Sequence, residues 1–254
     1  MKHNPSLRTI LSVWRLRHLT SSVICSHSRD VLTCGSCNDL LPSSFWSRLV
    51  WKRFEPQPDT YHVTSLTHCL AQSYFGTTLS ADESVESAWR KLRGTLLHYV
   101  GRSFGWSELR VKTTFELDGR IIAIVGHVDA YDPETATIYD LKTTRFVNWQ
   151  HEKGYIPREN HVEQIQCYYT LLGLYGIPVN RLVLVYVDDQ TILPKQVPLG
   201  SRKEWMINRG TALHLAFERS EIPEPEVGTG CVYCPFIKSC PKSAQALMVK
   251  EAKK

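Results

Sequence analysis

The sequence predicts an α/β or α+β domain in which helices flank a centrally placed sheet. Three observations carry that reading. Residues 109–116 and 121–128 alternate apolar and polar side chains, and 137–143 follows as a third strand. Helical periodicity stands on both sides, at about 82–101, 158–176 and 201–219. A buried strand at 182–187, with 191–197 as its pairing partner, extends the sheet between the last two helices.

The 254 residues suffice for a sizeable core. A hydrophobic content of 43% beside 22% charged residues is ordinary for a globular chain. No apolar run reaches the ~18 residues of a membrane span, so no membrane association is expected. The formal net charge is +5, yet Lys2, Arg8, Arg15, Arg17 and Arg29 all precede the first acid, Asp30. The rest of the chain is formally neutral, so recognition of a polyanion would need a local basic groove.

Residues 1–58 read as a basic arm outside the main domain. The first 29 are rich in Arg and Ser and free of acids, a composition shared by mitochondrial presequences and by basic amphipathic helices packed on a body. Cys34 and Cys37 form an isolated C-x-x-C, a pattern shared by redox pairs and half zinc sites; with no second pair following, they read as two ordinary thiols in a loop, and Cys25 carries no assigned role. The stretch Glu55-Pro56-Gln57-Pro58 reads as a linker, placing the main domain at 59–254.

A first helix is expected from Thr64-Ser65 onward, with Cys69 inside it. The second, at 82–101, carries Gly94 and His98 on one face, and a mid-helix glycine suggests close approach of another backbone. The long helix at 158–176 ends well at Gly176 before Pro178, and Gln164 and Tyr168 share one of its faces.

The chemistry concentrates in Gly126-His127-Val128-Asp129 and Asp140-Leu141-Lys142. Two strands flank the turn signal Asp132-Pro133-Glu134-Thr135, so the run reads as a hairpin. Asp129 ends one strand, and Asp140 and Lys142, two apart on the other, leave the same face. Two carboxylates repel one another unless a hard divalent cation such as Mg²⁺ or Mn²⁺ relieves the repulsion. A neighbouring ammonium can then position water and offset charge on a phosphate. Each group alone is an ordinary surface charge; together they are minimal equipment for metal-assisted phosphodiester hydrolysis.

The C-terminal segment 223–242 places Cys231, Cys234 and Cys240 in a C-x2-C-x5-C spacing within a Pro- and Gly-rich stretch. Three thiols there lack a fourth, and Cys69 is the candidate. Shared ligation would close a loop of about 160 residues. Spacing alone leaves zinc and an iron–sulfur cluster equally open.

Taken in order, Gly94/His98, the Gly126–Asp129 run, Asp140-Leu141-Lys142 and Gln164/Tyr168 resemble the RecB-like branch of the PD-(D/E)xK nuclease superfamily. One cysteine ahead of this core and three behind it resemble the iron–sulfur subset of that branch. The compact size is most similar to the CRISPR-associated exonucleases of the Cas-four type. The resemblance covers roughly residues 60–242. It implies a restriction-endonuclease-like central mixed sheet flanked by helices, with a cysteine-ligated iron–sulfur lobe joining N- and C-terminal segments. His98, Asp129, Asp140 and the Leu141 carbonyl would be ligands of Mn²⁺ or Mg²⁺, and Lys142 the catalytic lysine. Gln164 and Tyr168 would support the lysine and contact DNA; the chemistry of a tyrosine there also allows it to stack on a base. Cys69, Cys231, Cys234 and Cys240 would hold a [4Fe-4S] cluster. The implied substrate is DNA with single-stranded or frayed ends, digested 5′-to-3′, and the implied partner is a CRISPR integrase complex in the cytoplasm. A stand-alone repair or replication exonuclease and a non-catalytic DNA-binding scaffold are the rival expectations. Asp140 stands where that family often has Glu.

Overall fold

The computed structural model describes residues 23–24, 59–79, 83–84, 89–97 and 108–251. The chain divides into two compact units, residues 1–55 with 82–88 and residues 56–81 with 89–254. In the first unit, β1 (Val23–Ile24) pairs in parallel with β3 (Glu83–Ser84). Glu83 and Ser84 are therefore extended, not the start of a helix: pairing to a strand distant in sequence overrides weak local propensity. The helix expected there is seen over residues 89–97, and His98 lies outside the described residues, as do Cys25, Cys34 and Cys37.

The second unit is a mixed α/β fold with sheets flanked by helices. In chain order it contains β2 (Thr60–His62), α1 (Val63–Leu66), α2 (Leu70–Thr78), α3 (89–97), β4 (Leu109–Leu117) and β5 (Arg120–Val128). Then come β6 (Ala130–Asp132), β7 (Thr137–Thr143), α4 (Val147–Glu152), α5 (Glu159–Leu174), β8 (Arg181–Val187), β9 (Ile192–Val197) and α6 (Lys203–Arg219). Two 3-10 turns, Thr229–Tyr233 and Ile237–Ser239, lead to α7 (Ser243–Glu251). The sequence reading missed α4 and α7, both of which are short.

The strands form two ladders where one sheet was expected: β2-β5-β4, and β6-β7-β8-β9. The switch falls at Asp129, between β5 and β6. Pairing of β6 with β7 stops at Ala130↔Tyr139, so the next outward amide of β7, that of Leu141, has no strand to bond. The Asp129 carboxylate takes that amide instead, at 2.8 Å. The hairpin is thus β6–β7 around the predicted turn, and Asp129 sits at the bend.

On β7, Ile138 and Asp140 are fully buried beneath α5, and β8 runs parallel beside it with Lys142 opposite Tyr186. Helix α5 packs across both ladders, and α6 packs beside it over β5. Gly126 permits the close seat of α5: a Cβ there would stand 3.0 Å from Leu171 and from the Tyr168 ring. Gly94, by contrast, needs no such explanation, because an added Cβ would meet only Thr143 Oγ1 at an ordinary 3.6 Å. Helix α5 ends as expected, with Gly176 at φ +69° and the Ile177 amide bonded to the Leu172 carbonyl.

The first expected helix is broken in two, and Cys69 is the N-cap residue of α2 rather than an interior one. The break is held from outside. Arg209 of α6 donates to the Leu66 carbonyl and the His68 carbonyl, both at 2.6 Å, satisfying acceptors that a continuous helix would have bonded internally.

Candidate active site

Strand β7 delivers Asp140 and Lys142 to one face, and α5 lays His161, Gln164 and Tyr168 over it at i, i+3 and i+7. Lys142 Nζ lies 2.8 Å from Asp140 Oδ2 and donates to Gln164 Oε1, also at 2.8 Å. The pair is secluded, with the lysine side chain 15% exposed and the aspartate 1%. In such surroundings an ion pair keeps its charge only with close geometry and further hydrogen bonds. Gln164 supplies part of that geometry. Its amide nitrogen donates to the Tyr168 hydroxyl at 2.7 Å and approaches Asp140 Oδ1 at 3.5 Å.

Tyr168 is 2% exposed, which corrects the expectation that it stacks on a base. Burial, then the Asp140 charge, hold its phenol well above the ordinary range, so it remains a neutral partner of Gln164. Its packing against Gly126 accounts for the seclusion.

The Asp129 carboxylate takes the Leu141 amide beside β7, and the Asp140 carboxylate lies buried one residue before Leu141. This all-oxygen donor set suits a hard divalent cation. His98, the fourth expected ligand, lies outside the described residues.

Two histidines that the sequence reading passed over stand beside Lys142. The Tyr186 hydroxyl accepts the Arg158 amide at 3.1 Å and is hydrogen-bonded to His161 Nδ1 at 2.9 Å. Desolvation, then the positive charges of Lys142 and Arg158, push the His161 imidazole down to about 2. His68, at the α1–α2 break, is also lowered, first by desolvation and then by Lys142 and Arg209. The available signal for His161 was its position three residues before Gln164, on the same helix face. For His68 the sequence offered none.

The four C-terminal-lobe thiols gather loosely. Glu226 links two of them: its amide meets Cys69 Sγ at 3.4 Å, and its carbonyl faces Cys231 Sγ at 3.9 Å. Cys69 and Cys234 pack against the small cluster of Ala71, Phe75 and Phe236. The Cys234 thiol is raised by burial, with Cys231, Cys69 and Cys240 adding to the rise. The donor chemistry suits a thiolate-bound centre. Among the described residues, however, no three His, Cys, Asp or Glu side chains stand close enough together to hold a metal ion.

Asp129, Asp140 and Lys142, with Gln164 of the crossing helix bonded to the lysine, supply the residue types that metal-assisted phosphodiester hydrolysis needs. The family model described as the PD-(D/E)XK nuclease superfamily matches residues 46–241, and the chain belongs to that superfamily. Among solved structures, the crystal structure of SSO0001 is similar with a TM-score of 0.57 and 20% identity, covering 82% of this chain and 97% of that one. An alkaline exonuclease (LHK-Exo) from Laribacter hongkongensis aligns over 70% of this chain and 92% of its own, with 14% identity and a TM-score of 0.39. No curated protein matches.

Proposed function

We propose that this protein is a divalent-metal-dependent DNA exonuclease acting on single-stranded or frayed ends. The observation that carries the reading is the Asp140–Lys142–Gln164 contact set beside Asp129, in a chain of the nuclease superfamily. Asp129, Asp140, the Leu141 carbonyl and His98 would hold Mg²⁺ or Mn²⁺, which lowers the pKa of water and polarises phosphate when bound. Lys142 orients the attacking water and offsets charge gathering on the phosphate oxygens. Gln164 fixes the ammonium, and Tyr168 fixes Gln164. Water adds at phosphorus as the P–O3′ bond breaks, leaving a 5′-phosphate and a 3′-hydroxyl. The 5′-to-3′ polarity rests on family resemblance.

Cys69, Cys231, Cys234 and Cys240 would hold a [4Fe-4S] cluster with a structural role, a reading supported by their spacing and by the Glu226 bridge. The Cas-four resemblance supports a cytoplasmic role in CRISPR adaptation, trimming DNA for an integrase complex before spacer integration. The acid-free N-terminus supports the second reading, a stand-alone repair or replication exonuclease, viral, cellular or mitochondrial. Among the described residues no helix is long and apolar enough to cross a membrane.

The test is cleavage of end-labelled single-stranded DNA by anaerobically purified protein with Mn²⁺ or Mg²⁺, beside Lys142→Ala. Metal-dependent cleavage that is lost in the variant supports the assignment. Equal cleavage by the variant, or none by folded, metal-supplied wild type, overturns it.

A further inference from the structure

The burial of Tyr168 leaves the expected base-stacking role without a residue, and the chain just beyond Lys142 supplies one. Strand β7 runs through Lys142 and ends at Thr143; three residues later Phe146 is 72% exposed. Trp149 on α4 is 51% exposed and Tyr155 is 53% exposed, and their rings meet edge to face with centroids 5.5 Å apart. Trp89, Tyr175 and Tyr233 are exposed singly elsewhere, whereas these three large exposed aromatics fall within ten residues of one another.

The backbone here is built to hold them outward. Phe146 adopts φ 56°, ψ 53°, a left-handed conformation costly for a bulky side chain. The fold enforces it from both sides. The Val147 amide donates to Asp188 Oδ2 at 2.7 Å, and Gln150 Nε2 donates to Thr144 Oγ1 at 2.7 Å and to the Arg145 carbonyl. Arg158 Nη2 in turn donates to Gln150 Oε1 at 3.1 Å, tying the far end of the segment to the same glutamine.

The segment also carries a modest excess of cations: between residues 144 and 159, Arg145, Lys153 and Arg158 are exposed beside two acids, Glu152 and Glu159. Asp188, the nearby carboxylate, is engaged by the amides of Val147, Gln190 and Thr191. Exposed rings interleaved with cations suit unstacked bases on a phosphodiester strand, since every base offers a π-face and every linkage a charge. An apolar protein partner would not need the cations.

We propose that Phe146, Trp149 and Tyr155 form a stacking platform for single-stranded nucleic acid, continuous with the strand that carries Lys142. This rests on the nuclease reading for its orientation, and its test separates the two. Binding of a fluorescent single-stranded oligonucleotide, its abasic counterpart and a duplex is measured by anisotropy. The protein is metal-free wild-type full-length chain, beside Trp149→Ala, Trp149→Phe and Phe146→Asn. Asparagine keeps the left-handed backbone while removing the ring. The platform predicts losses of about fivefold or more for Trp149→Ala and Phe146→Asn, recovery in Trp149→Phe, and weak abasic binding. These two variants keep the wild-type salt dependence, whereas Lys153→Ala flattens it. Unchanged affinity in folded Trp149→Ala and Phe146→Asn overturns the platform, even if wild type cleaves DNA. Lost affinity in those variants with no cleavage by metal-supplied wild type upholds the platform and removes the nuclease reading.

Discussion

The Lys142 ammonium and the Gln164 carboxamide meet at 2.8 Å across the boundary between β7 and α5. The contact is directional: Gln164 Oε1 accepts from lysine while its nitrogen serves Tyr168, so the amide cannot flip without breaking both bonds. Gln164→Leu keeps the helix and its bulk but removes both. The expected outcome is a fall in cleavage rate of roughly 10- to 100-fold, as for loss of a supporting contact. Circular dichroism should remain unchanged. A wild-type rate in this variant would show that the lysine is positioned by other groups.

Gly126→Ala tests the seat of α5. The new methyl would stand 3.0 Å from Tyr168 and Leu171, and both are held in the core. Overpacking of this kind costs about 1–3 kcal/mol. Chemical denaturation should show that loss, accompanied by reduced cleavage because α5 carries Gln164. An unchanged midpoint would mean that α5 shifts freely over β5.

His161 makes stability depend on acid. In the unfolded chain its ring takes a proton below about 6.5; in the folded protein it stays neutral down to about 2. The unfolded state therefore binds more protons within that window, and stability falls as pH drops through it. At pH 5 this contribution reaches about 2 kcal/mol. His161→Gln offers the Tyr186 hydroxyl an acceptor without titrating, so its stability should decline less between pH 7.5 and pH 5. Equal declines in denaturation midpoint for both proteins would contradict the assignment.

Arg209 joins three parts of the chain. Besides the Leu66 and His68 carbonyls, it grips both carboxylate oxygens of Glu226, whose amide faces Cys69. Arg209→Lys cannot reproduce the fork. The expected loss is about 2–4 kcal/mol, given that hydrogen bonds to charged groups contribute ~1.5–3 kcal/mol each. Cys69 should react faster with a thiol reagent as Glu226 is released. Unaltered stability and labelling would make the fork incidental.

Much of the fold was legible because alternation and helical period are local properties. The strands at β4, β5, β7 and β8, and the helices α5 and α6, appear within a few residues of their expected bounds. The short α4 and α7 were not read, and α1 and α2 were read as one. A break whose carbonyls are satisfied by an arginine about 140 residues away leaves no local trace. The pairing of Asp140 with Lys142 followed from the period of a strand, and the Gln164–Tyr168 face from the period of a helix. Their meeting did not.

By itself, the sequence determined which side chains share a face, where the chain turns, and which residue types could hold a hard cation or gather thiols. These follow from covalent geometry and the two backbone periods. Only the tertiary structure decided that the ladders change over at Asp129 and that Gln164 reaches Lys142. It also buried Tyr168 while leaving Phe146 and Trp149 in water. Those outcomes depend on how α5 seats over Gly126 and on hydrogen bonds between residues far apart in sequence. The competition between burial and exposure is settled there, after every local preference has been satisfied.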